Sequence, residues 1–298
     1  MSINYVKATI NGQTYELQLN SSTGKYEGVF TAPASSSYNQ SGHYYPVSVE
    51  ARDRGHNSTT IDDTDSTFGS KLQLVVKEKT PPVITITAPT ADALIVNNRP
   101  AITWTVTDDD SGVDSSSIGI TIDSGSKITE GITKKEISNG YECAYTPTAP
   151  LVDGSHTIKV DASDNDGNAA VQKSVTFKVD TVPPTLSVDQ PYDRLTTSTD
   201  WVVVRGTTND VTSSPVTLTV NGTEYSVNDD GTFNLNVNNL KEGSNVITIV
   251  ATDSAGQKTT VTRTVIRDTI PPVIKSVTVT PNPVDAGKTY TITVEVTD

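Results

Sequence analysis

The sequence predicts an all-β protein made of antiparallel β-sandwich modules in a row, and three observations predict it. Thr, Ser, Val, Asp and Asn dominate a composition that is 34% hydrophobic and 19% charged, and β-branched residues fit a pleated, half-buried surface. No window sustains apolar residues at i, i+3, i+4 and i+7, whereas many segments alternate apolar with polar. Finally, one pattern returns three times within 298 residues, which is how a chain of small domains is written.

Each repeat is marked by proline. Pro-Pro stands at Pro81-Pro82, Pro183-Pro184 and Pro271-Pro272. Proline stiffens a connection and cannot donate to a sheet ladder, so a pair just before a strand makes a rigid domain junction. Upstream of each junction runs a strand: Val47-Ser-Val49-Glu-Ala51-Arg-Asp53, Ile158-Lys-Val160-Asp-Ala162-Ser-Asp164 and Ile247-Thr-Ile249-Val-Ala251-Thr-Asp253. Its apolar residues alternate and so share one face. A turn follows at Gly55-His-Asn57, Gly167-Asn168 and Gly256-Gln257, and return strands are expected at 72–76, 175–179 and 261–265.

The third repeat is the clearest. Val216, Leu218 and Val220 alternate into Asn221-Gly222, a dipeptide suited to a type I′ hairpin turn. Tyr225 and Val227 follow, then Asp229-Asp230-Gly231, then Phe233, Leu235 and Val237. Strands every 8–12 residues with turn signals between them describe a sandwich. The run from Val220 to Gly256 resembles the bacterial immunoglobulin-like module named from glucodextranase domain B. The resemblance covers 183–268 well and the other repeats loosely, and it implies a fold without an activity. The fold class is therefore tandem immunoglobulin-like antiparallel sandwiches joined by Pro-Pro linkers. The general style resembles Ig-like proteins of phage tails and of Gram-positive cell surfaces.

Four segments follow. Residues 80–180 form module two, with Ile102, Trp104 and Val106 as an inward strand and Ile118, Ile120 and Ile122 in the next. Residues 181–268 form module three. Residues 1–79 read as a module lacking its first two strands: Val6-Lys-Ala8-Thr-Ile10 runs straight into Asn11-Gly12, matching Val216 to Gly222. Residues 269–298 supply two strands, one with Val277 and Val279 and one with Ile292, Val294 and Val296, and stop at Asp298, the equivalent of Asp108. The step from Pro183 to Val216 is 33 residues; the 27 from Pro271 to the terminus and the six that reach Val6 give the same step. The expected donor residues are Ile274, Val277, Val279, Ile292, Val294 and Val296, and the acceptor strand is Val6, Ala8 and Ile10. Burying those six contributes on the order of 10 kcal/mol, at roughly 1.5–3 each. The expectation is a head-to-tail homo-oligomer formed by strand addition. An excerpt from a longer protein, or a first module closed by its own segment 58–70, remains the alternative.

Other chemistry is thinly signalled. A net charge of −13 and the lack of a basic stripe argue against nucleic acid. No apolar run approaches the ~18 residues of a membrane span, and the N-terminus reads as a strand, not a secretory signal. An extracellular or virion setting, with virion or cell-surface components as further partners, is expected. Cys143, the single cysteine, alternates like a core residue. His43, His56 and His156 are scattered, and no catalytic motif accompanies them, so no enzyme is expected. Calcium is the one cofactor considered. Asp164-Asn-Asp166-Gly-Asn168 offers oxygen ligands in a tight turn, and Asp108, Asp109, Asp110 and Asp114 form a second acidic patch. An EF-hand is ruled out because Val175 stands where a bidentate Glu belongs. Tyr38, His43, Tyr44 and Tyr45 form an aromatic knot, either core or sugar platform. Trp104 is expected inside and Trp201 outside. The functional expectation is a structural fibre or phage-tail subunit, with a glycan-displaying or glycan-binding stalk as the alternative.

Overall fold

The computed structural model describes residues 2–298, with 24 strands, two short 3₁₀ turns and no α-helix among the described residues. No helix among them is long and apolar enough to cross a membrane. The chain divides into two compact units, 1–179 and 180–298.

The first unit opens with module one: β1 (Ile3–Ile10), β2 (Gln13–Asn20), β3 (Lys25–Glu27), β4 (Tyr45–Asp53), β5 (Ser58–Ile61) and β6 (Gln73–Leu74). They form one sheet in the order β3-β2-β1-β4-β5, with β6 joined to β4 at Tyr45 and Pro46. Asn11 and Gly12 close the β1–β2 hairpin with φ of 49° and 75°, the mirror-image turn whose twist suits a two-residue loop. The return strand differs from the sequence expectation. β5 already pairs with β4 at 58–61, and the run near Leu72 contributes only the two residues of β6. Between them Asp62 accepts from the Thr64 amide (2.9 Å), and Asp65 from those of Thr67 and Phe68 (2.8 Å each). These side-chain caps stabilise turns where the ladder would otherwise run on.

Module two contains β7 (Val83–Ala88), β8 (Leu94–Ile95), β9 (Ile102–Thr107), β10 (Gly119–Ile122), β11 (Thr133–Ile137), β12 (Gly140–Tyr145), β13 (Gly154–Asp161) and β14 (Lys173–Val179). Two sheets, β11-β12-β9-β7 and β10-β13-β14-β8, face each other. Ile102, Trp104 and Val106 meet Ile120, Ile158, Val160 and Phe177 in a core where each is fully buried. Cys143 lies within it, and burial pushes its thiol up to about 11, far from a reactive thiolate.

The second unit holds module three: β15 (Thr185–Gln190), β16 (Leu195–Thr197), β17 (Trp201–Asn209), β18 (Thr217–Val220), β19 (Thr223–Tyr225), β20 (Thr232–Asn238), β21 (Gly243–Thr252) and β22 (Lys258–Arg267). Its sheets are β15-β17-β20 and β16-β22-β21-β18-β19. Between them lie Val204, Leu218, Phe233, Ile247, Ile249 and Val265. Trp201 is exposed. Gly206 lets Phe233 cross its strand, because a Cβ there would stand 2.8 Å from that ring and 2.0 Å from the Ser187 carbonyl oxygen. The unit ends in β23 (Val273–Thr280) and β24 (Thr291–Thr297), an antiparallel pair.

The β2-β1-β4-β5 order of module one is the β19-β18-β21-β22 order of module three. The two differ by a slip. Ile10 pairs with Val47, whereas Val220 pairs with Ile249, the counterpart of Val49. A slip of two residues leaves every side chain on its original face, so Val6, Ala8 and Ile10 still share one side of the sheet.

Candidate functional site: acidic junctions and open sheet faces

The chain brings three acidic residues together at the entry end of each complete module. In module two these are Glu78, Asp108 and Asp164, with a carboxylate oxygen from each lying within 4.8 Å of the others. Glu78 stands three residues before Pro81, Asp108 directly follows β9, and Asp164 ends the stretch that follows β13. In module three the same positions hold Asp180, Asp210 and Asp253, again within 4.8 Å. Like unit charges about 4 Å apart repel by about 4 kcal/mol at an effective dielectric constant near 20, so such clusters need a proton or a cation.

The two clusters meet that need differently. In module two, burial first, then the Asp164 hydrogen bond and the Asp108 charge, push Glu78 above the usual carboxylate range, against donors from Thr80 and Ser111. Burial also opposes ionisation of Asp164, yet the Asn168 side chain and amide together with the Glu78 hydrogen bond hold it below the usual range. The Asn168 amide donates to Asp164 Oδ1 (2.8 Å) and its Nδ2 to Oδ2 (2.7 Å), so both oxygens are occupied. In module three Gln257 replaces Asn168. Its backbone amide reaches Asp253 Oδ1 (2.8 Å), but its longer side chain donates to the Asp180 carbonyl (3.0 Å). Oδ2 of Asp253 and Oδ2 of Asp180 are buried and have no hydrogen-bond partner.

Of the calcium candidates read from sequence, Asp108 and Asp164 lie in the first cluster. Asp110, Asp166 and Asn168 are not among the three residues whose carboxylates converge there. Asp110 accepts from the Ser36 amide (2.9 Å to Oδ2) and Asp166 from the Glu78 amide (3.0 Å), holding module one's chain to module two. Asn168 donates its NH₂ to Asp164 Oδ2 (2.7 Å) and to the Glu78 carbonyl (3.1 Å). Glu78 and the whole module-three cluster were missed. The signal was available as recurrence: an acid three residues before each Pro-Pro, an acid after each early strand and an acid closing each Ala-x-Asp motif.

The tail carries two of these positions. β23 pairs with β24 as β7 pairs with β9: Val273 with Thr297 and Ile274 with Val296, against Val83 with Thr107 and Ile84 with Val106. Asp298 therefore takes the place of Asp108, and Asp268, three residues before Pro271, the place of Glu78. In module one the motif counterpart of Asp164 and Asp253 is Asp53, which accepts from the Asn57 amide (2.9 Å) and Nδ2 (3.1 Å).

The sheet faces named as donor and acceptor are also located. Ile274, Val277, Val279, Ile292, Val294 and Val296 are all exposed, between 40% and 63%. On module one's sheet Val6 and Ala8 are buried and Ile10 half-buried. β1 is flanked on both edges by β2 and β4, so a docking strand pair meets it by its face and not by an edge. The opening lies elsewhere. In module three β20 pairs with β17 from Thr232 to Asn238. Its counterpart in module one pairs with β2 over three residues, Lys25–Glu27, and then runs irregularly past Val29, which is fully exposed. Phe30 folds back to stack on Tyr15, centroids 4.4 Å apart. Ile10, Tyr15, Gly28, Phe30 and Leu74 line a groove of about 680 Å³. In the aromatic knot Tyr45 is buried, Tyr38 stacks on His43 at 4.2 Å, and the Tyr44 hydroxyl donates to Asp63.

Paired antiparallel sheets with this strand order, repeated behind proline junctions, define immunoglobulin-like sandwiches, and the chain is a tandem Ig-like protein. Its parts can be placed further. Residues 184–269 match glucodextranase domain B and residues 82–160 match a bacterial Ig domain. The chain is similar to chitinase ChiA of Flavobacterium johnsoniae, 26% identical over 235 residues, covering 74% of this chain and 14% of that protein. It is also similar to bacillopeptidase F of Bacillus subtilis, 32% identical over 107 residues, covering 36% of this chain and 7% of the other. The chain thus spans only a small part of these relatives. Among solved structures, it is similar to the I67–I69 I-band fragment of titin (11% identity, 88% of this chain and 87% of that one, TM-score 0.44). It is also similar to the fibronectin(III)-like modules of Clostridium thermocellum CbhA (16% identity, 63% and 95%, TM-score 0.35).

Proposed function

We propose that the chain is a non-catalytic extracellular structural array whose copies join head to tail, the β23–β24 pair of one completing module one of the next. The observation that carries this is complementarity. β23–β24 reproduces the register of the β7–β9 pair, while module one reproduces the sheet that such a pair covers in module three. Val6 and Ala8 are already buried in the free chain, so the donor pair must displace what covers them to lie face-on over Val6, Ala8 and Ile10, while the free edge of β24 pairs with residues 25–31 in place of β17 with β20. Phe30 must leave Tyr15 for this to happen. Such a contact is heterologous and propagates into a filament or closes into a ring. Its setting is a fibre outside the cell, with a bacteriophage tail as one such place.

A second reading has its own support. The chain covers 14% and 7% of the two long relatives, which favours a stalk segment that spaces or displays the other domains of a larger secreted protein, with glycan contact as its finer form.

Sedimentation velocity on the chain and on a form lacking 270–298 tests the first reading. Concentration-dependent growth of the full chain alone is expected. Equal sedimentation of both forms as monomers sinks it and leaves the stalk.

A further inference from the structure

We propose that Asp180, Asp210 and Asp253 of module three form a calcium site. One side-chain oxygen from each lies within 4.8 Å of the others, and the residues are 0%, 8% and 5% exposed. Calcium binds oxygen at about 2.4 Å, so two ligands of one ion stand no more than about 4.8 Å apart. Three carboxylates at that spacing, buried together, form a cage of the right size.

The unpartnered oxygens point to the occupant. Buried polar atoms are almost always hydrogen-bonded, and each exception calls for an explanation. Here Oδ2 of Asp180 and Oδ2 of Asp253 are both buried and both lack a partner, in one cluster. Among the described residues the ion pairs are Lys135–Glu142 and His156–Asp123, so no basic side chain answers these negative charges. A cation does.

The carboxylates are also held for the task. The Val182 amide donates to Asp180 Oδ1 (3.3 Å), and the Thr212 and Ser213 amides donate to Asp210 Oδ1 (2.8 and 2.6 Å). The Gln257 amide fixes Asp253 Oδ1 (2.8 Å). In Asp180 and Asp253, then, one oxygen is anchored to backbone and the other left free. A set made only of oxygens, with no imidazole or thiolate, selects a hard ion. Calcium accepts carboxylates in flexible geometry and fills the rest of its six to eight places with carbonyls and water, whereas magnesium holds most of its own water. The module-two cluster is a weaker case, because Asn168 occupies both oxygens of Asp164.

The test is calorimetric titration of CaCl₂ into the full chain stripped of metal, with hydrogen exchange read with and without calcium. Wild type is expected to bind calcium and to slow exchange at residues 210–213 and 253–257. Asp253→Asn and the double variant Asp180→Asn/Asp253→Asn are expected to lose one equivalent, or to weaken that binding step by at least about tenfold. Circular dichroism in EDTA verifies that the variants fold. If a variant fails to fold, Asp210→Asn replaces it. An unchanged exchange pattern at both loops, or undiminished stoichiometry and affinity in folded variants, overturns the site.

Discussion

Strand β9 of module two and strand β24 of the tail are the same strand in two situations. Ile102, Trp104 and Val106 occupy the register positions of Ile292, Val294 and Val296. The first three are fully buried, while the others are 56%, 47% and 53% exposed. Each pair also carries one bulge, between Ile86 and Ala88 in one and, two residues earlier in the alignment, between Ile274 and Ser276 in the other. Strand pairing and register are thus decided locally, by alternation and turn chemistry, while burial depends on whether a facing sheet is supplied.

Truncating the same residue type in both places gives the largest contrast. Ile102→Ala leaves a cavity in a closed core and should cost about 2–5 kcal/mol. Ile292→Ala at the matching position should change the stability of the dilute monomer by less than about 0.5 kcal/mol. Chemical denaturation reads both, and equal losses would mean that β24 is already buried in the free chain. Next comes Val294→Asp, which should leave monomer melting unaltered and weaken self-association by about 2 kcal/mol or more, since a charge would enter an apolar seam. Sedimentation equilibrium measures it, and unaltered association would place the contact elsewhere.

Smaller effects sharpen the likeness between module one and module three. Gly12 and Gly222 both follow Asn in a left-handed turn, at φ of 75° and 81°. Alanine at either should cost about 1 kcal/mol, by similar amounts in the two unfolding transitions; a large disparity would show that the turns are not equivalent. The smallest effect concerns pH. His156 Nδ1 faces Asp123 Oδ2 (2.8 Å) and Nε2 faces the Val152 carbonyl (2.7 Å). Both partners are acceptors, so only the doubly protonated ring serves both. Burial opposes that charge, but Val152 and Asp123 outweigh it and raise the pKa. A raised folded pKa means stability fully present below the unfolded value of about 6.5 and lost as pH climbs through the folded value. Module two should therefore melt at lower temperature above neutrality than below pH 6, and His156→Gln should flatten that slope.

What was legible in the sequence was whatever depends on neighbours along the chain. The alternation of Ile102, Trp104 and Val106 and the Asn11-Gly12 and Asn221-Gly222 turns could be read directly. So could the proline junctions and the burial of Cys143. What escaped depends on residues far apart in sequence. Asp180, Asp210 and Asp253 lie far apart in sequence, and Asp210 and Asp253 each accept local backbone bonds that give them a turn-capping role of their own. Only folding shows that one carboxylate oxygen from each lies within 4.8 Å of the others. The two-residue slip of β1 against β4 preserves facing, so no periodicity in the sequence reveals it. The division of module one's return strand at Asp62 and Asp65 was hidden because a capping aspartate looks the same in a hairpin turn as in an interruption.

The placement of Asp298, Asp268 and Asp53 at the three acidic positions carries a last consequence. Should subunits couple as proposed, each seam would gather two carboxylates from one copy and one from its neighbour. Acids that repel when bare would then become a clasp once an ion sits among them. Growth of the fibre would answer to the surrounding medium: held apart where calcium is scarce, locked where it is plentiful, and released again by a chelator.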